Sequence, residues 1–238
     1  MKQFTLTFFM ALNIFLPTTV FAGGDVGNGG DVVLCQKSAE DIFEGTLSLD
    51  YMLTLQDGIE NDLKSVSSFG ESIARIFKIM TERCHEDRST PKIGYFSNSL
   101  NKFLSLRANH TDWSQSAIWH SSAYGLVDIH DQRMSRLLPT NCQINGGPNI
   151  IQAIIRKARP DMNIIIFEYD PAIDLQLQRK PLQQSFLYMH EFLRNYLSDI
   201  DNIRWLNWFL HSQQMEKMND NDFLNSVNRL MGNAFCRG

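Results

Sequence analysis

The chain has 238 residues, with 22 Lys and Arg against 26 Asp and Glu, a formal net charge of −4, and 43% hydrophobic residues. This balance, with no run of basic residues, gives nucleic acid or an anionic membrane surface nothing to attract it, and neither is expected as a partner. The length suffices for one sizeable core, and no repeat, low-complexity tract or linker divides it, so a single domain over 23–238 is expected.

Residues 1–22 read as a secretory signal peptide. Lys2 supplies a short basic region, an apolar run extends from Phe4 to Leu16, and Val20-Phe21-Ala22 places small residues at −3 and −1 of a cleavage site. Asn13, Pro17 and two threonines interrupt the run before it reaches the roughly 20 apolar residues of a membrane span. The expected mature chain begins at Gly23, is periplasmic or secreted, and has no transmembrane segment.

The next stretch, GGDVGNGGDVVLC, is rich in glycine, but a phosphate-cradling loop needs a strand before it and a helix after it. Here a cleavage site precedes, and a short β-branched run, Val32-Val33-Leu34, follows. A calcium-binding glycine-aspartate turn would come in tandem copies, and this is a single copy. The stretch reads as a leader into a strand.

Four cysteines, Cys35, Cys84, Cys142 and Cys236, stand in a chain expected to reach an oxidising compartment. They lack the clustered spacing of a zinc-thiolate site, so two disulfides are expected, with three connectivities open. Cys35–Cys142 and Cys84–Cys236 are favoured. Cys84 and Cys236 each follow an expected helix, whereas Cys35 and Cys142 lie in strand or loop contexts.

Apolar residues at helical spacing predict helices over 48–55 and 68–83, the second with Phe69, Ile73, Ile76, Phe77 and Met80 on one face. A third is expected over 95–106, followed by a polar loop at 109–115. Residues 119–128 and 150–155 read as strands or buried segments around the loop LPTNCQINGGPN. The clearest strand is NIIIFEY at 163–169, bounded by Pro160-Asp161 and Asp170-Pro171. From Pro181 onward the chain reads as helical with two breaks. Helices, then short strands, then helices define an α+β fold, mainly helical, with a small sheet and a C-terminal antiparallel helix hairpin.

That hairpin carries the candidate chemistry. Pro181 suits a first helical turn, and Phe186, His190, Leu193 and Leu197 recur on one apolar stripe. Asp201 is the expected N-cap of a second helix, from Asn202 to about residue 214. Arg204, Asn207 and His211 share one face of that otherwise apolar helix. Pairing the helices about residue 200 sets His190 level with His211, Arg194 opposite Asn207, and Leu197 opposite Arg204.

His190-Glu191 on a helix is how many zinc peptidases begin, which makes His190 and His211 candidate ligands, Glu191 a candidate catalytic base and zinc a conceivable cofactor. The position four residues after His190, where a second ligand belongs, is Arg194, and no third ligand is identifiable. The alternative is a buried polar network in which Glu191 neutralises Arg194 or Arg204 and His190, Asn207 and His211 satisfy one another or nearby backbone. In that reading Glu191→Gln leaves a cation uncompensated and costs about 3–5 kcal/mol.

The segments GNGGDVVLC, LVDIHDQRMSRLLPTNC, IIQAIIRK and PLQQSFLYMHEFLRNYLSDIDNIRWLNWFLHS resemble a family of short exported proteins of predatory Gram-negative bacteria. That family has H-E-W-L followed by R-x-x-N-x-x-L-H-S. Here Phe192 replaces the Trp, while His190, Glu191, Arg204, Asn207, His211 and Ser212 fit. The resemblance covers most of the mature chain in patches and implies export, with no activity attached. The expected function is a non-catalytic envelope or secreted interaction module with a protein or envelope-polymer partner. The alternative is a zincin-like, metal-dependent hydrolase acting on peptides or envelope polymers.

Overall fold

The computed structural model describes residues 30–36, 44–56, 62–83, 100, 102–104, 117–122, 126, 138–144, 147–159 and 164–231. The expected signal peptide, the leader before Gly30, the loop at 109–115, Cys84 and Cys236 lie outside them. Of the helix expected at 95–106, Leu100 and 102–104 are described and helical, with Leu100 and Phe103 buried.

The fold is α+β and mainly helical, with two small three-stranded sheets. Strands β1 (Asp31–Cys35) and β2 (Gly45–Ser48) pair antiparallel, and β6 (Ile150–Gln152) completes their sheet on the other side of β1. Strand β3 (Ala117–Ser121) runs parallel to β8 (Ile164–Tyr169), which pairs antiparallel with β7 (Ile154–Arg159). The segment LPTNCQINGGPN contains a 3-10 turn, Thr140–Cys142, and a two-residue ribbon, β4 (Gln143–Ile144) with β5 (Gly147–Pro148).

β6 and β7 are one run of chain interrupted at Ala153, so a single stretch serves both sheets. Gly30 makes the seam: its carbonyl accepts the amides of Ala153 at 2.8 Å and Ile154 at 3.1 Å. Its φ of +65° is one that glycine adopts without Cβ strain. Because strand side chains alternate, Val32 faces one core and Val33 another. The smaller core, with Val33, Leu47, Leu49, Met52 and Ile150, encloses the disulfide Cys35–Cys142, as the sequence led us to expect. The larger core is built on stacked Trp119 and Phe167, 4.7 Å between ring centres, under the helices.

Helices α1 (Leu49–Gln56) and α2 (Phe69–Arg83) match their amphipathic patterns. α3 (Pro171–Leu177) is not anticipated by the sequence reading, although its cap is plain in retrospect. Asp170 accepts the amides of Ala172 and Ile173, and Pro171 occupies the first turn, the arrangement that starts a helix as readily as it ends a strand. α4 (Pro181–Leu193) is buried from Gln183 to Leu193, on every side, because α1, α2, α3 and β2 surround it together with α5 (Ile200–His211). The short α6 (Gln214–Lys217) and α7 (Asp220–Met231) follow.

Two expectations about the hairpin are corrected. The N-cap of α5 is Asp199, which accepts the amide of Asn202 at 2.8 Å, and the helix spans Ile200–His211 rather than starting at Asn202. The register is also displaced by about one turn: His211 meets Ser185 and Phe186, not His190. The cause is the connection. α4 ends at Leu193, and residues 194–199 form a turn and an extended stretch instead of a tight reversal near 200.

Candidate functional site

A helix buried on all faces must find partners for each polar side chain it carries. Gln183 and Gln184 are satisfied individually, Gln183 accepting from the Ser48 amide at 3.3 Å and Gln184 donating to Asp174 Oδ1 at 3.3 Å. Ser185 and His190 find partners on other helices and Glu191 finds no hydrogen bond among the described residues, and these three residues mark the candidate site.

The centre of the site is Asp50, in the first turn of α1. His190 Nδ1 donates to its Oδ2 at 2.6 Å, Asn207 Nδ2 donates to the same oxygen at 2.8 Å, and Arg204 Nε approaches Oδ1 at 3.4 Å. The Asn207 amide also donates to the Phe186 carbonyl at 2.9 Å, which ties α5 to α4. Burial alone would raise the Asp50 carboxyl, but the His190 charge and hydrogen bond, with Arg204 and Asn207, outweigh it and hold it below its ordinary value. His190 responds reciprocally. Burial opposes its charge, yet Asp50 prevails and raises the imidazole above its usual value. Both shifts favour the charged form of each partner across the 2.6 Å contact.

His211 belongs to a second chain of hydrogen bonds. Its Nδ1 lies 2.7 Å from the Asn207 carbonyl, which can only accept, so Nδ1 carries the proton and Nε2 is the acceptor. Ser185 Oγ donates to that Nε2 at 2.7 Å and itself accepts from Ser72 Oγ at 2.8 Å. Phe186 stacks on the imidazole with 4.1 Å between ring centres. Burial, with Arg75 adding to it, lowers His211 to about 4, so the ring is neutral. Both of its nitrogens are engaged in this relay.

Glu191 is the exception. Its side chain is 0% exposed, neither carboxylate oxygen receives a hydrogen bond among the described residues, and Arg194 Nη1 stands 3.6 Å from Oε1, close enough for charge but too far for a hydrogen bond. Burial raises its carboxyl, with Arg194, His190 and Arg156 opposing. Beside it runs the seam: a Cβ on Gly30 would lie 3.0 Å from Glu191 Oε1. The next residue, Asp31, has a buried Oδ1 with no donor, and His190 Nε2 likewise has no partner among the described residues.

The structure therefore joins His190, Asn207 and Arg204 through Asp50, sets Arg194 against Glu191, and places His211 in a separate relay. Arg204 pairs with Asp50 rather than with Glu191. His190 and His211 do not share a site, and among the described residues no three His, Cys, Asp or Glu side chains are gathered to hold a metal ion. Asp50, Asp31, Ser185 and Ser72 are members that sequence reasoning missed. Asp31 lies in the glycine-rich stretch GNGGDVVLC that the sequence reading singled out, whereas nothing in the sequence marked Asp50.

No family model, no curated protein and no solved structure matches this chain significantly. Among the described residues, no helix is long and apolar enough to cross a membrane.

Proposed function

We propose that the protein is an exported, non-catalytic interaction module of the envelope or the secreted fraction, in which the polar residues of the H-E helix hold the fold together. The observation that carries this reading is the convergence of His190, Asn207 and Arg204 on Asp50, which fastens the N-terminal helix α1 to the C-terminal hairpin. Residues consumed in that way are not poised for substrate. The disulfide Cys35–Cys142 and the signal-like N-terminus support export, and the family resemblance agrees with it.

The test is made on protein purified from fractionated cells. The expected result is an N-terminus at Gly23, less than stoichiometric zinc, and no hydrolysis of unfolded protein or peptidoglycan. About one zinc per chain, lost on His190→Ala, or turnover lost on Glu191→Gln, would overturn this reading in favour of a metal-dependent hydrolase. Retention of Met1 in the recovered protein would remove the export half.

A further inference from the structure

The seam between the two sheets holds acidic groups that the Asp50 network does not use. Glu191 reaches it from α4 and Asp31 from the start of β1, and Gly30, the residue before Asp31, lies close enough that one added methyl would crowd Glu191 Oε1. Three oxygens, Glu191 Oε1 and Oε2 and Asp31 Oδ1, are buried there with no donor among the described residues. Glu191 has given up water for the charge of Arg194 alone, 3.6 Å from Oε1 and without a hydrogen bond, and Asp31 Oδ1 has given it up for no donor. The smallest change that neutralises it is a proton.

We propose that Asp31 and Glu191 form a proton-holding carboxyl pair, kept in the acid form by the closed seam, and that ionisation of the pair loosens the contact between Gly30 and the Ala153–Ile154 bend. This would make the joint between the sheets responsive to the pH of the surroundings.

The charges facing the pair come from every neighbouring element. His190 and Arg204 favour ionisation of Asp31, while Glu191 and Asp50 oppose it. Arg194, His190 and Arg156 favour ionisation of Glu191. Against all of these, burial dominates at both sites, and it lifts Asp31 to about 7 from an ordinary 3.8. A metal ion fits less well than a proton, because the donors are not gathered around a point and three guanidinium groups stand near.

An acid raised in the folded state contributes stability that is complete below its unfolded value and is lost as pH rises through its folded value. For Asp31 that window runs from 3.8 to about 7. Asn and Gln mimic the protonated acids. The folding constant of Asp31→Asn relative to wild type should therefore grow about tenfold per pH unit across the window, and Glu191→Gln should gain in the same direction. Both variants should equal or exceed wild type in stability at about pH 7.

A direct measurement on the wild-type chain accompanies this, so that a variant that fails to fold does not decide the matter. Carbon-13 NMR of the side-chain carboxyls should give Asp31 a midpoint near 7 and Glu191 a midpoint above the ordinary carboxylate range. Amide exchange at Ala153 and Ile154, corrected for the intrinsic base-catalysed rate, should accelerate as the pair ionises in wild type and stay flat in Asp31→Asn/Glu191→Gln. An ordinary midpoint for either acid overturns the pair. Unchanged amide protection through the titration overturns the coupling to the seam, and two folded variants less stable than wild type at about pH 7 overturn the protonated state.

Discussion

Asp50 is the residue on which the hairpin's polar groups depend. Its removal leaves His190, Asn207 and the partly buried Arg204 without their shared acceptor, and stranding a buried cation typically costs about 3–5 kcal/mol. Asp50→Ala should lose that much in urea denaturation at about pH 7, a larger loss than the ordinary run of point substitutions. The pH dependence follows from the two shifts. A depressed Asp contributes stability above its unfolded value of 3.8, lost as pH falls, and a raised His contributes below its unfolded value of 6.5, lost as pH rises through its folded value. The gap between wild type and Asp50→Ala should thus be widest in the mildly acidic range and narrow toward both extremes. At this same scale the sequence showed half of the site. His190, Arg204 and Asn207 were legible because polar residues on an apolar helical face are conspicuous. Asp50 was not, because an acid in the first turn of an amphipathic helix is what the helix dipole favours in any solvent-facing helix. For Glu191 two effects compete. Glu191→Gln removes the charge facing Arg194 at 3.6 Å, which argues for the loss expected from the sequence, and removes a buried carboxylate that no donor reaches among the described residues, which argues for a gain. We predict that the second prevails, and melting temperatures of the two proteins at about pH 7 decide it.

Among the elements, the seam depends on Gly30 much more than the neighbouring turn depends on Gly45. Both have positive φ, +65° and +74°, but a Cβ on Gly30 would lie 2.8 Å from the Ile154 Cβ and 3.0 Å from its carbonyl, whereas on Gly45 the nearest atom is the Lys180 Nζ at 3.7 Å. Gly45→Ala should cost about 1 kcal/mol, the left-handed penalty alone. Gly30→Ala should cost more, about 2–4 kcal/mol, because a displaced Ile154 disturbs both sheets. Thermal melts of the two variants side by side check the ranking. Elements whose side chains follow a clear period, α1, α2, β1 and β8, could be read in advance. α3 and β2 could not, being short and dependent on partners distant in sequence: β2 is a strand because β1 lies beside it, and α3 rests on a cap that reads equally as a strand boundary. The hairpin register failed for a related reason, since the length of a connection is not written in the periodicity of the helices it joins.

For the molecule as a whole, the disulfide closes a separation of 107 residues and lies inside the smaller core. Closing a loop of that length is worth about 4–5 kcal/mol in the chain-entropy account, and native disulfides typically return about 2–5 kcal/mol. Cys35→Ala/Cys142→Ala should lower the denaturation midpoint by an amount in that range. The expected architecture, α+β with a helical hairpin at the C-terminus, was readable from the order of the segments. The division of the hydrophobic residues into two cores on opposite faces of β1 was not, because alternation marks two faces without saying what covers each.

The acceptor on α1 precedes its three partners by 140, 154 and 157 residues. A ribosome adding roughly 5–20 residues per second needs on the order of 7–30 s to go from Asp50 to His190. Throughout that interval Asp50 has none of its three partners, α1 can rest only on β1 and β2, and β1 lacks the β6 edge that arrives with residues 150–152. The first third of the chain is thus kept waiting by its own connectivity, and the fold closes only once its last helices have been made.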